Sequence, residues 1–378
     1  MRHLFLIFSL TIFSISLSFS QEKALTELIK SELQELPDGT EISIGILENG
    51  NAVKIGYRVE NDNLISIENS DKLFEIGSIT KTFTASLIMK FVEEQKIDLS
   101  DPIQNYLPVQ MAQDSFEGHT ITVRDLLTHT SGLSEGPPGF TLPYLKAQVF
   151  SPKNPNRNFK ARHYYRYLKK FELNYIPGRE WDYNNAGYGL LGEFIKEMDH
   201  SLWEEAVEEY ILVPLGMEKT FFEINQSNKA DFITGITAKG KKSKPWEMQL
   251  INPAGAIKST VEDILLYAAA QLESPSSAVD FLQAAQATLD YQIRMPEDKL
   301  WKGNAMGTGW WHNLEDIQNT FIWHGGGTGG YTAFVGFSHE KDKAVVILSN
   351  ISSSHPLARG ENRIPKPMLL GQKIMRME

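Results

Sequence analysis

The chain has 378 residues, 42% of them hydrophobic and 22% charged, a formal net charge of −10 and no cysteine. That balance describes a globular protein without the basic footprint that nucleic acid or an anionic membrane surface attracts. The lack of cysteine removes disulfides, thiolate nucleophiles and cysteine-built metal or iron–sulfur sites.

Residues 1–20 read as a secretory signal peptide. Arg2 and His3 precede an apolar run from Leu4 to Leu17, and Ser18 and Ser20 form a small-x-small cleavage site. The run is shorter than the ~20 residues that span a bilayer. The mature protein is therefore expected to begin near Gln21, in a periplasmic or extracellular space, without a membrane span.

Residues 22–36 place Leu25, Leu28, Ile29, Leu33 and Leu36 at helical intervals, and Pro37-Asp38-Gly39 ends that helix. Strand-like runs at 41–47 and 52–59 flank a hairpin turn at Asn49-Gly50-Asn51. A second helix is expected over 79–94, with Phe83, Leu87, Ile88, Phe91 and Val92 on one face. Thr122 with Asp125 forms a capping pattern ahead of VRDLL, and Ser259-Thr260-Val261-Glu262 repeats it ahead of DILLYAAAQL. Residues 134–180, which include Pro137-Pro138-Gly139 and the basic aromatic run ARHYYRYLKK, read as a loop and helix bordering a cleft. KGKKSK at 239–244 reads as a solvated loop. Late runs at 319–324, 331–338 and 343–349 are β-branched and aromatic, with a turn at Glu340-Lys341-Asp342. Trp301, Trp310 and Trp311 read as core or cleft wall, and 356–378 as a terminal helix docked on the sheet.

Strands at both ends and helical sequence between predict an α+β fold: one antiparallel sheet built from both chain termini, flanked by helices, with an inserted mainly helical domain. The α/β part is expected at about 21–77 and 300–378, and the helical part at about 78–299. Such an insertion leaves a cleft where the two parts meet.

Three short motifs fit one chemistry. Ser78-Ile79-Thr80-Lys81 puts a lysine one turn from a serine, where it can accept the hydroxyl proton or lower its pKa. The plainer role for Ser78 is an N-cap. A second copy of the spacing, Ser338-His339-Glu340-Lys341, falls at a strand end and turn that would not hold the two side chains together. Tyr183-Asn184-Asn185 is the only Tyr-x-Asn in the chain. It offers a phenol for proton transfer and an amide that can hold both a lysine and a substrate carbonyl. The plainer role for those asparagines is to cap the helix that follows. His324-Gly325-Gly326-Gly327-Thr328-Gly329-Gly330 offers backbone to a substrate, as an edge strand does, and an amide N–H that could join that of Ser78 as an oxyanion hole.

In this order the motifs resemble those of the serine β-lactamase and penicillin-binding-protein superfamily. The resemblance is nearest to its class C branch, with the D-Ala-D-Ala carboxypeptidases, D-aminopeptidases and esterases. It covers about 41–350, through FEIGSITKTFTA, VRDLLTHTSGL, WDYNNAGYGLLG, PAGAIKSTVEDILLYA and HGGGTGGYTAF. It implies an acyl-serine intermediate on Ser78 and Lys81 as proton acceptor. It further implies Tyr183 as proton shuttle, Asn185 as orienter of lysine and substrate, and an oxyanion hole at Ser78 and Gly327. His324, Gly325 and Gly326 would bind substrate, with no metal and no cofactor. His324-Gly325-Gly326 stands where β-lactamases usually carry Lys-Thr-Gly, which weakens a β-lactam reading and suits the peptidase and esterase branches. No class A deacylating glutamate is present: Glu172-Leu173-Asn174 has the wrong spacing.

The expectation is an exported serine hydrolase acting on a β-lactam, a D-Ala-D-Ala-type peptide or another small, possibly peptidoglycan-derived, substrate. A carboxylesterase, a D-aminopeptidase and a non-catalytic penicillin-binding-like protein are the alternatives. No His-Glu-x-x-His and no Gly-x-Ser-x-Gly elbow occurs, against a metallohydrolase and a Ser-His-Asp hydrolase.

Overall fold

The computed structural model describes residues 19–33, 35–134, 160–273, 278–286, 293–294 and 303–377. The expected signal peptide lies outside these residues, except for Phe19 and Ser20 at the start of the first helix. Pro137-Pro138-Gly139 and Trp301 also lie outside them.

Thirteen strands follow in chain order among the described residues: β1 Glu41–Glu48, β2 Asn51–Glu60, β3 Asn63–Ser66, β4 Phe74–Glu75, β5 Ser115–Phe116, β6 His119–Thr120 and β7 Lys258–Ser259. The remainder are β8 Ile293–Arg294, β9 Asn304–Met306, β10 Trp311–Asn313, β11 Phe321–Gly327, β12 Thr332–Ser338 and β13 Lys343–Ser349. Nine form one antiparallel sheet in the order β3-β2-β1-β13-β12-β11-β10-β9-β8. The two chain ends meet at its centre, where Ile44 of β1 faces Ile347 of β13. Asn49 and Gly50 both take positive φ, 49° and 74°, and make a two-residue turn. Asn51, expected in that turn, instead pairs with Glu48.

Both faces of this sheet are covered, so all seven residues of β13 are buried. Strand side chains alternate between faces. Ala344, Val346 and Leu348 join the core under helices Thr80–Glu93 and Val261–Leu272. Val345 and Ile347 join a second core with helices Phe19–Leu33 and Lys366–Arg376. Two-sided burial explains why AVVIL at 344–348 is continuously apolar rather than alternating. The terminal helix expected within 356–378 does dock on the sheet, through Leu370, Ile374 and Met375.

Some boundaries differ from the sequence reading. The first helix ends at Leu33, and a turn closes there as Leu36 N–H donates to the Leu33 carbonyl (3.0 Å). The capping box at Thr122 and Asp125 is present. The second caps one residue later than expected: Thr260, not Ser259, accepts the Asp263 N–H. Glu262 is drawn away to Lys54 and Ser70, and Asp263 receives Lys219 N–H and the Thr220 hydroxyl. ARHYYRYL forms helix Ala161–Leu168 and is tied through Tyr164 and Tyr167 to Ser134. Trp310 and Trp311 are core residues, and most of 239–244 is exposed.

Candidate active site

The chain reaches Ser78 through buried backbone. Glu75 of β4 pairs with Lys258 of β7, and Ile76 N–H donates to the Ile257 carbonyl (3.1 Å). Gly77 then turns with φ +53°, where a Cβ would stand 2.7 Å from the amide nitrogen of Gly327. Ser78 sits in a 3-10 turn, Gly77–Ile79, that runs into helix Thr80–Glu93. Its side chain makes no capping bond, so the N-cap role does not apply.

Lys81 lies one turn on and is fully buried. Its Nζ is 2.7 Å from Asn185 Oδ1, 2.9 Å from the Ala254 carbonyl and 3.1 Å from Ser78 Oγ. Two of these partners only accept, so they fix two N–H groups. The third position on Nζ faces the serine. Protonated, it donates to Ser78; deprotonated, the same position holds a lone pair that takes the serine proton. Asn185 thus gives its amide oxygen to Lys81 and also lines the cavity beside Ser78. The Tyr183 ring centroid is 4.8 Å from Lys81 Nζ. Asn184 caps helix Asn185–Asp199 by accepting Gly187 N–H, so the motif serves helix and site together.

Strand β11 supplies the facing wall and requires a correction. It was expected to offer its backbone to a substrate, as an edge strand does. It is interior to the sheet, between β12 and β10, and 324–327 are regular strand. β10 covers it only as far as Trp323, so the stretch from His324 on is open on that side. Gly325 and Gly326 also meet a packing requirement. A Cβ on Gly326 would meet the Ile76 carbonyl at 1.9 Å and Ser78 N at 3.2 Å; one on Gly325 would meet Met368 at 2.9 Å. Gly327 is exposed and borders the cavity beside Ser78.

His324 is wholly buried, stacked 4.8 Å from Trp311, with Nδ1 2.7 Å from the Gly325 carbonyl. Burial, and then the Lys81 charge, push its pKa down to about 3. It is a neutral imidazole at working pH and offers a substrate carboxylate no cation. His129 is a second buried histidine in the same neighbourhood, held neutral by burial and by the charge of Lys81.

Ser78, Asn185 and Gly327 line a cavity of about 80 Å3 with Trp246, Met248, Ile251, Ala254 and Gly255. A larger cavity of about 680 Å3, around Leu202, Val213 and Phe222, contains none of the motif residues. Trp246 is fixed through its backbone: its N–H donates to buried Glu75 Oε1 (2.6 Å), and its carbonyl accepts from buried Lys258 Nζ (3.0 Å). Burial raises the Glu75 carboxyl and lowers the Lys258 amine, while each charge acts on the other in the opposite sense. Trp246, His129 and the Ala254 carbonyl were not singled out in the sequence. Two of them lay within stretches that carried the resemblance, but a backbone carbonyl has no residue signature.

No group of three or more His, Asp or Glu residues that could hold a metal ion occurs among the described residues. No helix among them is long and apolar enough to cross a membrane.

Known proteins bear on this arrangement. A β-lactamase family model matches residues 40–365. A β-lactamase from Pseudomonas fluorescens is 28% identical over 342 residues, covering 84% of this chain and 90% of its own. Protein flp of Staphylococcus aureus (strain MRSA252) is 25% identical over 347 residues, 90% of this chain, and the match spans 65% of that relative. The octameric penicillin-binding protein homologue from Pyrococcus abyssi superposes with a TM-score of 0.72 at 26% identity, over 94% of this chain and 76% of its own.

Proposed function

Because this chain belongs to the β-lactamase family, we propose that it is an exported serine hydrolase that cleaves amide or ester carbonyls through an acyl-enzyme on Ser78. The observation that carries the reading is the Lys81 side chain, held by Asn185 Oδ1 and the Ala254 carbonyl with its Nζ 3.1 Å from Ser78 Oγ. In this reading Lys81 acts as the neutral amine, and Ser78 Oγ bonds to the substrate carbonyl carbon as its proton passes to the lone pair on Lys81 Nζ. The oxyanion is held by the N–H groups of Ser78 and Gly327. The bond to the leaving group breaks, and its nitrogen or oxygen takes a proton through Tyr183. Water then adds to the ester carbon, gives up its proton along the same side chains, and Ser78 regains its hydroxyl. Asn185 Nδ2 would hold the substrate amide.

β-Lactams and D-Ala-D-Ala-type peptides are the first substrate class, consistent with the relatives' names and with export toward peptidoglycan-derived material. The buried, neutral His324 favours a second: esters and D-amino-acid amides whose recognition needs no cation at that position. The deciding experiment compares turnover of benzylpenicillin, a D-Ala-D-Ala peptide and 4-nitrophenyl acetate by the parent and by Ser78→Ala. Turnover of any of these that vanishes in Ser78→Ala supports the hydrolase reading, and the preferred substrate selects the class. Turnover retained in Ser78→Ala contradicts it. A stable penicillin adduct without turnover favours a penicillin-binding protein.

A further inference from the structure

We propose that His129 is the positioning residue for Tyr183, acting through the two backbone amides that flank it; the proposal rests on the serine-hydrolase reading above. His129 follows helix Val123–Leu127 and its cap Thr128, with φ +60°. Glycine or asparagine is the usual residue at such a left-handed helix end. The histidine keeps a ring there despite the backbone, and the ring and carbonyl both engage one segment. Asp182 N–H donates to the His129 carbonyl (2.8 Å). Asn184 N–H donates to His129 Nδ1 (3.1 Å). The residue between those amides is Tyr183, and its ring lies 4.4 Å from the imidazole. The peptide carrying the phenol is thus gripped before and after it, while the imidazole supports the ring.

The grip requires a neutral imidazole, because Nδ1 must accept. Burial keeps it so first, and then the charge of Lys81 from helix Thr80–Glu93; neutral His324 of β11 is a further neighbour, and Tyr183 and Tyr188 are ring neighbours. Asn184 is pinned further, its Nδ2 donating to the Leu133 carbonyl and its Oδ1 capping the following helix. His129 therefore joins the end of helix Val123–Leu127 to the start of helix Asn185–Asp199. That junction sets where the Tyr183 hydroxyl stands relative to Lys81.

Two substitutions that both suit the left-handed backbone separate positioning from folding. His129→Gly removes ring and acceptor. His129→Asn keeps an amide oxygen where Nδ1 stood. With 4-nitrophenyl acetate, His129→Gly is expected to lose roughly 100-fold in kcat with little change in KM, as a displacement of about 1 Å can produce. The alkaline limb of its kcat profile moves as well, because Tyr183 leaves its place beside Lys81. His129→Asn recovers most of the loss and restores the limb. A folded His129→Gly enzyme with the parent kcat and pH profile would overturn the proposal, as would a His129→Asn enzyme no better than His129→Gly. Labelling of Ser78 by a fluorophosphonate is followed in parallel. If the parent is neither labelled nor active, the hydrolase reading fails and this proposal with it. If the parent is active and His129→Gly equals it, the positioning role alone fails.

Discussion

The same four-residue spacing, serine then lysine three residues on, occurs at Ser78 and at Ser338 and is built there into two different surroundings. At Ser78 the serine leads into a helix, and the lysine, fully buried, has an amide oxygen and a backbone carbonyl that aim its third position at the serine. At Ser338 the serine ends β12, and its hydroxyl donates to the Thr320 carbonyl (3.2 Å). Lys341 lies in the turn beyond, and its Nζ reaches the carbonyls of Met375 and Arg376 at 3.4 and 3.5 Å. Spacing alone therefore specifies little. Helical geometry brings i and i+3 together. Two fixed acceptors then give the lysine a direction, and a facing strand closes the site. In the second copy a strand end and turn replace the helix, and the lysine's two carbonyl acceptors lie on the terminal helix while the serine bonds to Thr320.

The widest separation between the copies is expected in turnover. Ser78→Ala should lose at least about 1,000-fold in kcat/KM for whatever substrate the parent accepts, because no replacement nucleophile faces Lys81. Steady-state kinetics on the folded variant checks this. The facing strand is tested by Gly326→Ala. Its Cβ would stand 1.9 Å from the Ile76 carbonyl and 3.2 Å from Ser78 N, so the Ser78 turn and β11 must part. If the two N–H groups then diverge, the loss should match that of an oxyanion donor, on the order of 100- to 1,000-fold in kcat. Unchanged kcat would show that the oxyanion is held elsewhere.

Protons sharpen the contrast further. His324, beside Lys81, has its folded pKa depressed to about 3. Below the ordinary value of ~6.5 the unfolded chain binds a proton there that the folded chain does not. The folded state is thus favoured above that window, and the advantage is lost as pH falls from about 6.5 toward 3. Buried Glu75, Asp125 and Asp263, whose pKa values are raised, take up protons more readily when folded and work in the opposite sense. Comparing His324→Leu with the parent isolates the histidine. Chemical unfolding at several pH values should show a slope shallower by about one proton, or ~1.4 kcal/mol per pH unit. The smallest effect belongs to the second copy: Ser338→Ala should keep kcat/KM within about twofold, because its buried hydroxyl is bonded to the Thr320 carbonyl and takes no part in the site. A large loss in the folded variant would mean that the two copies are not so different.

What the sequence made legible follows the same division. Ser78, Lys81, Tyr183 and Asn185 could be read because each is a reactive side chain at a fixed offset in a short motif. The sheet built from both termini could be read because 41–60 and 321–349 are strand-like in composition. Strand order is not local: β11 is interior to the sheet as far as Trp323, and only its stretch from His324 on has the open side of an edge strand. The glycines of β11 were read as backbone offered to a substrate; that Gly326 also makes room for the Ile76 carbonyl has no local signature. The Ala254 carbonyl that orients Lys81, the Glu75 and Lys258 pair that fixes Trp246, and the His129 grip on Tyr183 depend on backbone groups brought together by the fold. Nothing in residue spacing distinguishes them.

The most direct test of Ser78 as the nucleophile is intact-mass analysis, followed by peptide mapping, of the parent and Ser78→Ala after incubation with a fluorophosphonate. The expected result is a single adduct on Ser78, absent from Ser78→Ala, with Ser338 unmodified. An adduct mapped to another residue, or one that persists in Ser78→Ala, would contradict it.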